Sequence, residues 1–172
     1  MLLAVVRHAK AEKQAATGRD EDRALTERGE RQAAFLGERF GLHTPRPDML
    51  IASPAQRTRQ TAARIARGCG LDFDFDPRLF IGQPASGAMD LVRERATVRA
   101  AEFLVLVGHN DQVSELVNWL SSVPPGRPER AGPEELELRT GQAVLLSPRR
   151  TASGDFGPGC WRILDSWRLE GA

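Results

Sequence analysis

Two of the three histidines in this 172-residue chain follow apolar runs of similar length. Leu2-Leu3-Ala4-Val5-Val6 leads into Arg7-His8-Ala9, and Phe103-Leu104-Val105-Leu106-Val107 leads into Gly108-His109-Asn110. A third segment, Ser53-Pro54-Ala55-Gln56-Arg57, contributes an arginine. Arg7, His8, Arg57 and His109 are cationic or can become so, and gathered in one place they would repel each other unless an anion joined them. A phosphoryl group suits the set best. Two guanidinium groups can chelate its oxygens through paired N–H donors, where charge also sits during transfer. One histidine can attack phosphorus, provided its attacking nitrogen is deprotonated and its other N–H is held by an acceptor, while the second histidine donates to a phosphoryl oxygen. The set calls for no metal or other cofactor, because the arginines supply the charge. A zinc site built on His8 and His109 would need a third ligand that no recognisable motif provides.

The elements that must position these groups follow from local patterning. An apolar run without polar alternation reads as a strand covered on both faces, and the edge beyond the carboxyl ends of parallel strands is where open α/β sheets bind ligands. His8 and His109 should therefore emerge side by side. Lys10 to Ala24, with its cluster Arg19-Asp20-Glu21-Asp22-Arg23, reads as a loop over that edge. Thr26 can cap a helix carrying Ala33, Ala34, Leu36, Phe40 and Leu42, ended by Gly41 and the Pro45/Pro47 pair. Asp48 to Ser53 predicts a second buried strand, after which Ser53 as N-cap, Pro54 at the first position and Gln56 closing a capping box predict a helix running to Gly68 and Gly70. Arg57 then lies in its first or second turn. The helix dipole disfavours a cation there, so an anion held between helix start and guanidinium explains it better.

Further along, Leu71 to Phe75 predicts a strand, Pro77 to Gly87 a loop, Ser86 to about Ala101 a helix and Asp111 to Leu120 another. Pro124 to Pro133 reads as a surface connection. Leu136 to Arg139, Gln142 to Ser147 and Cys160 to Leu169 predict late strands, joined by Gly141 and a turn around Gly154 to Gly159, that finish the sheet with an antiparallel edge.

Composition sets the outer bounds. The length suits a single domain over 1–172. An apolar fraction of 41%, a charged fraction of 27% and a formal net charge of +1 belong to a soluble globular protein. No basic excess points to nucleic acid, and no apolar run reaches membrane-span length. The N-terminus enters a strand without a basic region, signal core or cleavage site, so a cytoplasmic location is expected. Cys69 and Cys160 form no CxxC pair, and the residues six positions after them are Phe75 and Ser166, which argues against a cysteine-dependent phosphatase loop.

The order Arg7-His8-Ala9, Leu25-Thr26-Glu27-Arg28-Gly29, Ser53-Pro54-Ala55-Gln56-Arg57-Thr58-Arg59-Gln60-Thr61 and Val107-Gly108-His109-Asn110 resembles the histidine phosphatase superfamily. Within it the chain is most similar to the small SixA-type phosphohistidine phosphatases, over Met1 to about Leu120 and more weakly through Thr140-Gly141-Gln142-Ala143. The resemblance implies a three-layer α/β/α sandwich of the phosphoglycerate mutase type, with a mostly parallel sheet. It implies that His8 is the nucleophile and that Arg7, Arg57 and His109 form the phosphate pocket. Two positions depart from the family pattern: Ala9 stands where most of the superfamily has glycine, and Asp111 where the SixA-like branch commonly has proline.

A general acid is missing from its usual region, since Leu79 to Gly87 offers no carboxylate. Asp20, Asp22 and Asp90 are the candidates that remain, each with an ordinary reading as a solvated charge. An absent acid favours a phosphohistidine or phosphoramidate leaving group over an alcohol. Only about fifty residues separate Arg57 from His109, so an open site is expected, able to admit a histidine on a phosphotransfer domain or phosphocarrier, or a small phosphorylated molecule. The alternatives are a broad or small-molecule phosphomonoesterase of the same fold and a non-catalytic phosphoanion-binding module.

Overall fold

Residues 1–98, 101–122, 135–149 and 157–170 are described by a computed structural model of the chain. Six strands form one sheet: β1 (Leu2–Arg7), β2 (Met49–Ala52), β3 (Asp74–Phe75), β4 (Phe103–Gly108), β5 (Gln142–Pro148) and β6 (Trp161–Arg168). Their spatial order is β3-β2-β4-β1-β5-β6. The first four in that order run parallel, and β5 pairs antiparallel with β1 and with β6. The helices are α1 (Glu27–Leu42), α2 (Gln56–Cys69), α3 (Ala85–Thr97) and α4 (Asn110–Ser121).

The lack of alternation in β1 and β4 has the expected cause, because both faces are covered. Leu3, Val5, Leu104 and Leu106 pack with Leu91, Val92, Leu116 and Val117 of α3 and α4. Ala4, Val6, Phe103, Val105 and Val107 pack with Leu36, Phe40, Ala62 and Ile65 of α1 and α2. Two helices thus lie on each face of the sheet, giving three layers. The register pairs Leu2 with Phe103 and Arg7 with Gly108, which places His8 and His109 one step beyond matching strand ends.

Several boundaries differ from the sequence reading. Of Leu71 to Phe75 only Asp74 and Phe75 pair, because the chain is still finishing α2. Gly70 takes the left-handed conformation (φ 69°), and the N–H groups of Gly70 and Leu71 both reach the Ala66 carbonyl. Leu136 to Arg139 is not a strand. The side-chain amide of Asn118 serves both the N–H and the carbonyl of Leu136, and Ser114 Oγ accepts from the Leu138 N–H, so α4 satisfies this backbone in place of a neighbouring strand. Helix α3 starts at Ala85 with Pro84 as N-cap, and Ser86 lies inside it. Thr26 caps α1 as expected, its hydroxyl accepting from Gly29 N. The connection expected over Pro124 to Pro133 lies outside the described residues, as does the start of the turn at Gly154.

Gly41 does not end α1; it permits close approach. A Cβ on Gly68 would stand 2.0 Å from the Gly37 carbonyl oxygen, and one on Gly41 would stand 2.4 Å from that of Gly68. The backbones of α1 and α2 therefore meet without intervening side chains. Gly68→Ala should destabilise the fold by about 1–3 kcal/mol in urea unfolding, since overpacking outweighs the roughly 1 kcal/mol that alanine gains in helix propensity. Unchanged or raised stability would refute this backbone contact.

Candidate active site

The histidine pair is set by backbone ties among three strand ends. His8 N donates to the Gly108 carbonyl, and Ser53 N to that of Val107. Gly141, at a positive φ of 67° in the turn before β5, donates its N–H to the His8 carbonyl. The Ala9 N–H donates to Thr61 Oγ1 on α2, and Thr61 in turn donates to the Arg57 carbonyl. These contacts leave the two imidazole centroids 5.4 Å apart, edge to face, as the matching strand ends required.

Each ring's tautomer follows from its partners. His8 Nδ1–H donates to the Ala9 carbonyl at 2.8 Å, and Nε2 accepts from Arg57 Nε at 3.2 Å. His109 Nδ1 accepts from Arg57 Nη2 at 3.3 Å, which leaves Nε2–H to donate to Ser53 Oγ at 2.8 Å. Both rings are therefore neutral and present a lone pair to the guanidinium. Their surroundings hold them so. Desolvation, followed by the charges of Arg57, Arg7 and Arg23, pushes His8 down to about 4 against the favourable Ala9 bond. Desolvation, then His8 and Arg57, pushes His109 down to about 3.

Arg57 is 3% exposed. Besides the two rings it donates to the backbone carbonyl of Asp20 at 2.8 Å and to the Asp20 carboxylate at 2.9 Å. Burial would raise the Asp20 carboxyl, but hydrogen bonds and charge from Arg57 and Arg23 overcome this and hold it below its ordinary value. An anion does stand at the cationic cluster, and it comes from the chain itself. The expectation of an open site needs correction, since His8 is only 9% exposed and His109 8%.

Arg7 is the exception. Its Nη1 donates to the Leu138 carbonyl at 2.6 Å, while its buried Nε has no partner among the described residues. That orphaned donor, near enough to His8 to depress its pKa, is a ready contact for an incoming oxyanion.

Of the three acid candidates the structure brings only Asp20 to the site. Asp22 accepts from Thr17 Oγ1, and Asp90 pairs with Arg93 on α3. Sequence reading missed Ser53, which it assigned to a helix cap. The helix begins at Gln56 with Ala55 as N-cap, and the Ser53 hydroxyl accepts from His109 at 2.8 Å as well as from the Ala55 N–H at 3.4 Å. The third histidine, His43, is the C-cap residue of α1. No group of three His, Cys, Asp or Glu side chains able to hold a metal occurs among the described residues, and no helix there is long and apolar enough to cross a membrane.

The neutral rings generate a pH prediction. In the unfolded chain both histidines protonate near 6.5, well above their folded values, so the unfolded state binds more protons between about pH 4 and 6.5. Stability should fall as pH drops through that window, by up to about 1.4 kcal/mol per pH unit for each ring. Imidazole proton shifts of His8 and His109 should stay at their neutral positions down to about pH 5; a ring titrating near 6.5 would contradict the assigned hydrogen bonds.

The comparisons with known proteins agree with this geometry. The sequence profile of the histidine phosphatase superfamily (branch 1) matches residues 3–80, which hold Arg7, His8, Asp20, Ser53 and Arg57. A protein assigned as phosphoglycerate mutase GpmB in Citrobacter koseri is 45% identical over 58 residues, a segment covering 34% of this chain and 26% of that protein. The chain thus spans about a quarter of the length of the curated relatives it matches. Similarity to solved structures runs nearly end to end. A protein assigned as the phosphohistidine phosphatase SixA of Nakamurella multipartitia superimposes with a TM-score of 0.77 at 26% identity, covering 96% of this chain and 94% of that one. A SixA protein histidine phosphatase complexed with tungstate gives 0.77 at 17% identity, covering 98% and 97%, and shares the fold. Residues 3–80 thus match the histidine phosphatase superfamily profile, and the chain as a whole has the phosphoglycerate mutase-like fold of the SixA-type structures.

Proposed function

We propose that this protein is a metal-independent phosphatase that works through a phosphohistidine on His8, with protein-borne phosphohistidine as its preferred substrate. One observation carries the reading: the bond from His8 Nδ1–H to Ala9 O leaves Nε2 unprotonated, its lone pair accepting from the buried guanidinium of Arg57, a bond it gives up as phosphorus arrives. A nucleophile and a phosphoryl ligand face each other across 3.2 Å.

The phosphoryl group takes over the donors of Arg57 now held by Asp20 and accepts from the free Nε of Arg7. His8 Nε2 forms its bond to phosphorus as the bond to the leaving nitrogen breaks. The departing imidazole takes up a proton. Water then attacks the phosphohistidine and releases inorganic phosphate, restoring the Nε2 lone pair. His109, held by Ser53, lies against the same oxygens and carries charge only while they are present. Charge developing on the equatorial oxygens is met by two fixed guanidinium groups, the role that a divalent cation fills in many phosphoryl-transfer sites.

Asp20 supports a second reading, ester hydrolysis, because among the described residues it is the carboxylate that reaches Arg57 and could protonate an alkoxide. Its depressed pKa makes it a poor acid in the free protein. Asp20→Asn separates the two. If Asp20 only occupies Arg57, the variant should bind inorganic phosphate several-fold more tightly and turn over a phosphohistidine protein at least as fast as the wild type. If it is the acid, hydrolysis of para-nitrophenyl phosphate should fall about 100-fold or more.

His8→Ala should abolish turnover with EDTA present while leaving phosphate binding within a few-fold, and Arg57→Ala should weaken both. The direct check is an alkaline quench during turnover of a labelled phosphohistidine protein. The acid-labile label should map to His8; label elsewhere, or none during turnover, overturns the reading.

A further inference from the structure

A second charged feature adjoins the histidine pair on the β5–β6 side of the sheet edge. A polar cleft of about 430 Å³ ends at Arg7 and is lined by Lys10, Arg28, Arg139 and Arg168, with no carboxylate among its lining residues. These cations come from four separate segments: the chain after β1, the first turn of α1, the turn before β5 and the end of β6. The side chains of Lys10, Arg28, Arg139 and Arg168 have no ion-pair partner within 4 Å among the described residues, whereas Arg19, Arg31, Arg64 and Arg78 elsewhere on the surface are all paired. Arg28 also stands at a helix start, where the dipole opposes a cation and favours an anion. Glu137 and Glu170 line the adjacent groove beyond Arg139 and Arg168, so the positive region has an acidic border on one side.

Such a concentration is unexpected in a chain whose formal net charge is only +1. Its position gives it meaning. The cleft is lined by Arg7, the residue before His8, while the histidines themselves are buried. Through Arg7 the cleft adjoins the segment that carries His8. Its cations are exposed, long-armed and separately anchored, which suits an extended acidic surface better than a single small anion, since small ligands are held by buried convergent donors.

We infer that the Lys10, Arg28, Arg139 and Arg168 cleft docks carboxylates that flank the phosphohistidine on the substrate protein. The inference rests on the reading of the site as a protein phosphohistidine phosphatase and adds a recognition surface to it. Charges placed this way accelerate encounter and make it sensitive to salt, and they suppress basic partners by repulsion.

The test uses the full chain with Arg28→Glu and Arg168→Glu combined, and Arg46→Glu with Arg67→Glu, beyond the end of α1 and at the far end of α2, as a charge-matched control. Two substrates are compared, a phosphohistidine-bearing protein and free phosphohistidine. The double variant should lose 10- to 100-fold in kcat/KM toward the protein, change less than about twofold toward the free amino acid, and lose most of the wild-type salt dependence. Binding of hexaglutamate, measured without turnover, should be present in the wild type and the control and absent in the double variant. Equal losses on both substrates, or no loss on either, overturn the proposal, as does hexaglutamate binding that is absent in the wild type or unchanged in the double variant. If hexaglutamate binds as expected but neither substrate is hydrolysed by the wild type, the acidic-ligand cleft stands and the phosphatase reading fails.

Discussion

A guanidinium buried as deeply as Arg57 needs a partner for its donors and a counter-charge, or the fold would suffer the full cost of desolvating it. Its donors reach His8 on the chain after β1, His109 on the chain after β4, and both the backbone and the carboxylate of Asp20 in the loop between β1 and α1. One side chain from the start of α2 thus holds three other segments in register. The direction of causation matters. The imidazoles accept from a permanent cation, so they stay neutral, and only as neutral rings can they keep accepting. Desolvation of the rings, reinforced by the positive charge that protonation would place beside Arg57, is why both pKa values lie far below 6.5.

What permits such a cluster is the rigidity of the sheet behind it. β1 and β4 are adjacent, parallel and buried on both faces, and a one-residue slip would send Leu3 and Val5 to the face now occupied by Ala4 and Val6. The faces differ in bulk, so the register is fixed by packing alone. The histidines inherit that precision because each follows its strand without an intervening loop. The close passage of α1 over α2 at Gly37 and Gly68 then fixes the helix that carries Arg57 and Thr61, and Thr61 holds the Ala9 backbone.

Sequence patterning revealed the parts of this arrangement that depend on short-range order. Apolar runs without alternation identify doubly covered strands, and a histidine immediately after each fixes its address. Arg57 was legible for a related reason, since a cation in a first helical turn needs an anion. Ser53 was misread because Ser-Pro-Ala-Gln satisfies the rules for a helix start, and only the neighbouring strand end reveals that its hydroxyl also accepts from His109. Leu136 to Arg139 looked like a strand because apolar and polar residues alternate there, yet Asn118 and Ser114, some twenty residues away in sequence, take its hydrogen bonds. Asp20 was one of several acids in a charged loop, and no local signal singles it out. Its role depends on how that loop folds back, anchored by the Ala11 to Leu25 bridge and by Gln60 at Leu25.

Asp20 also changes how the electrostatics of the site should be understood. Four potentially cationic groups seemed to require an external anion. Two of them are neutral, and a carboxylate already balances one of the remaining arginines. The net demand at rest is close to one negative charge, located at Arg7, where a donor is unpartnered. On the proposed reading, a phosphoryl dianion brings two charges and displaces one, so binding is driven by the difference, and the freed carboxylate is returned to water, where it is already half exposed. The same exchange explains why the resting site can be closed without being inert. Asp20 holds donors of Arg57 that the substrate itself would replace, so on this reading the group that displaces the carboxylate is the group to be transferred.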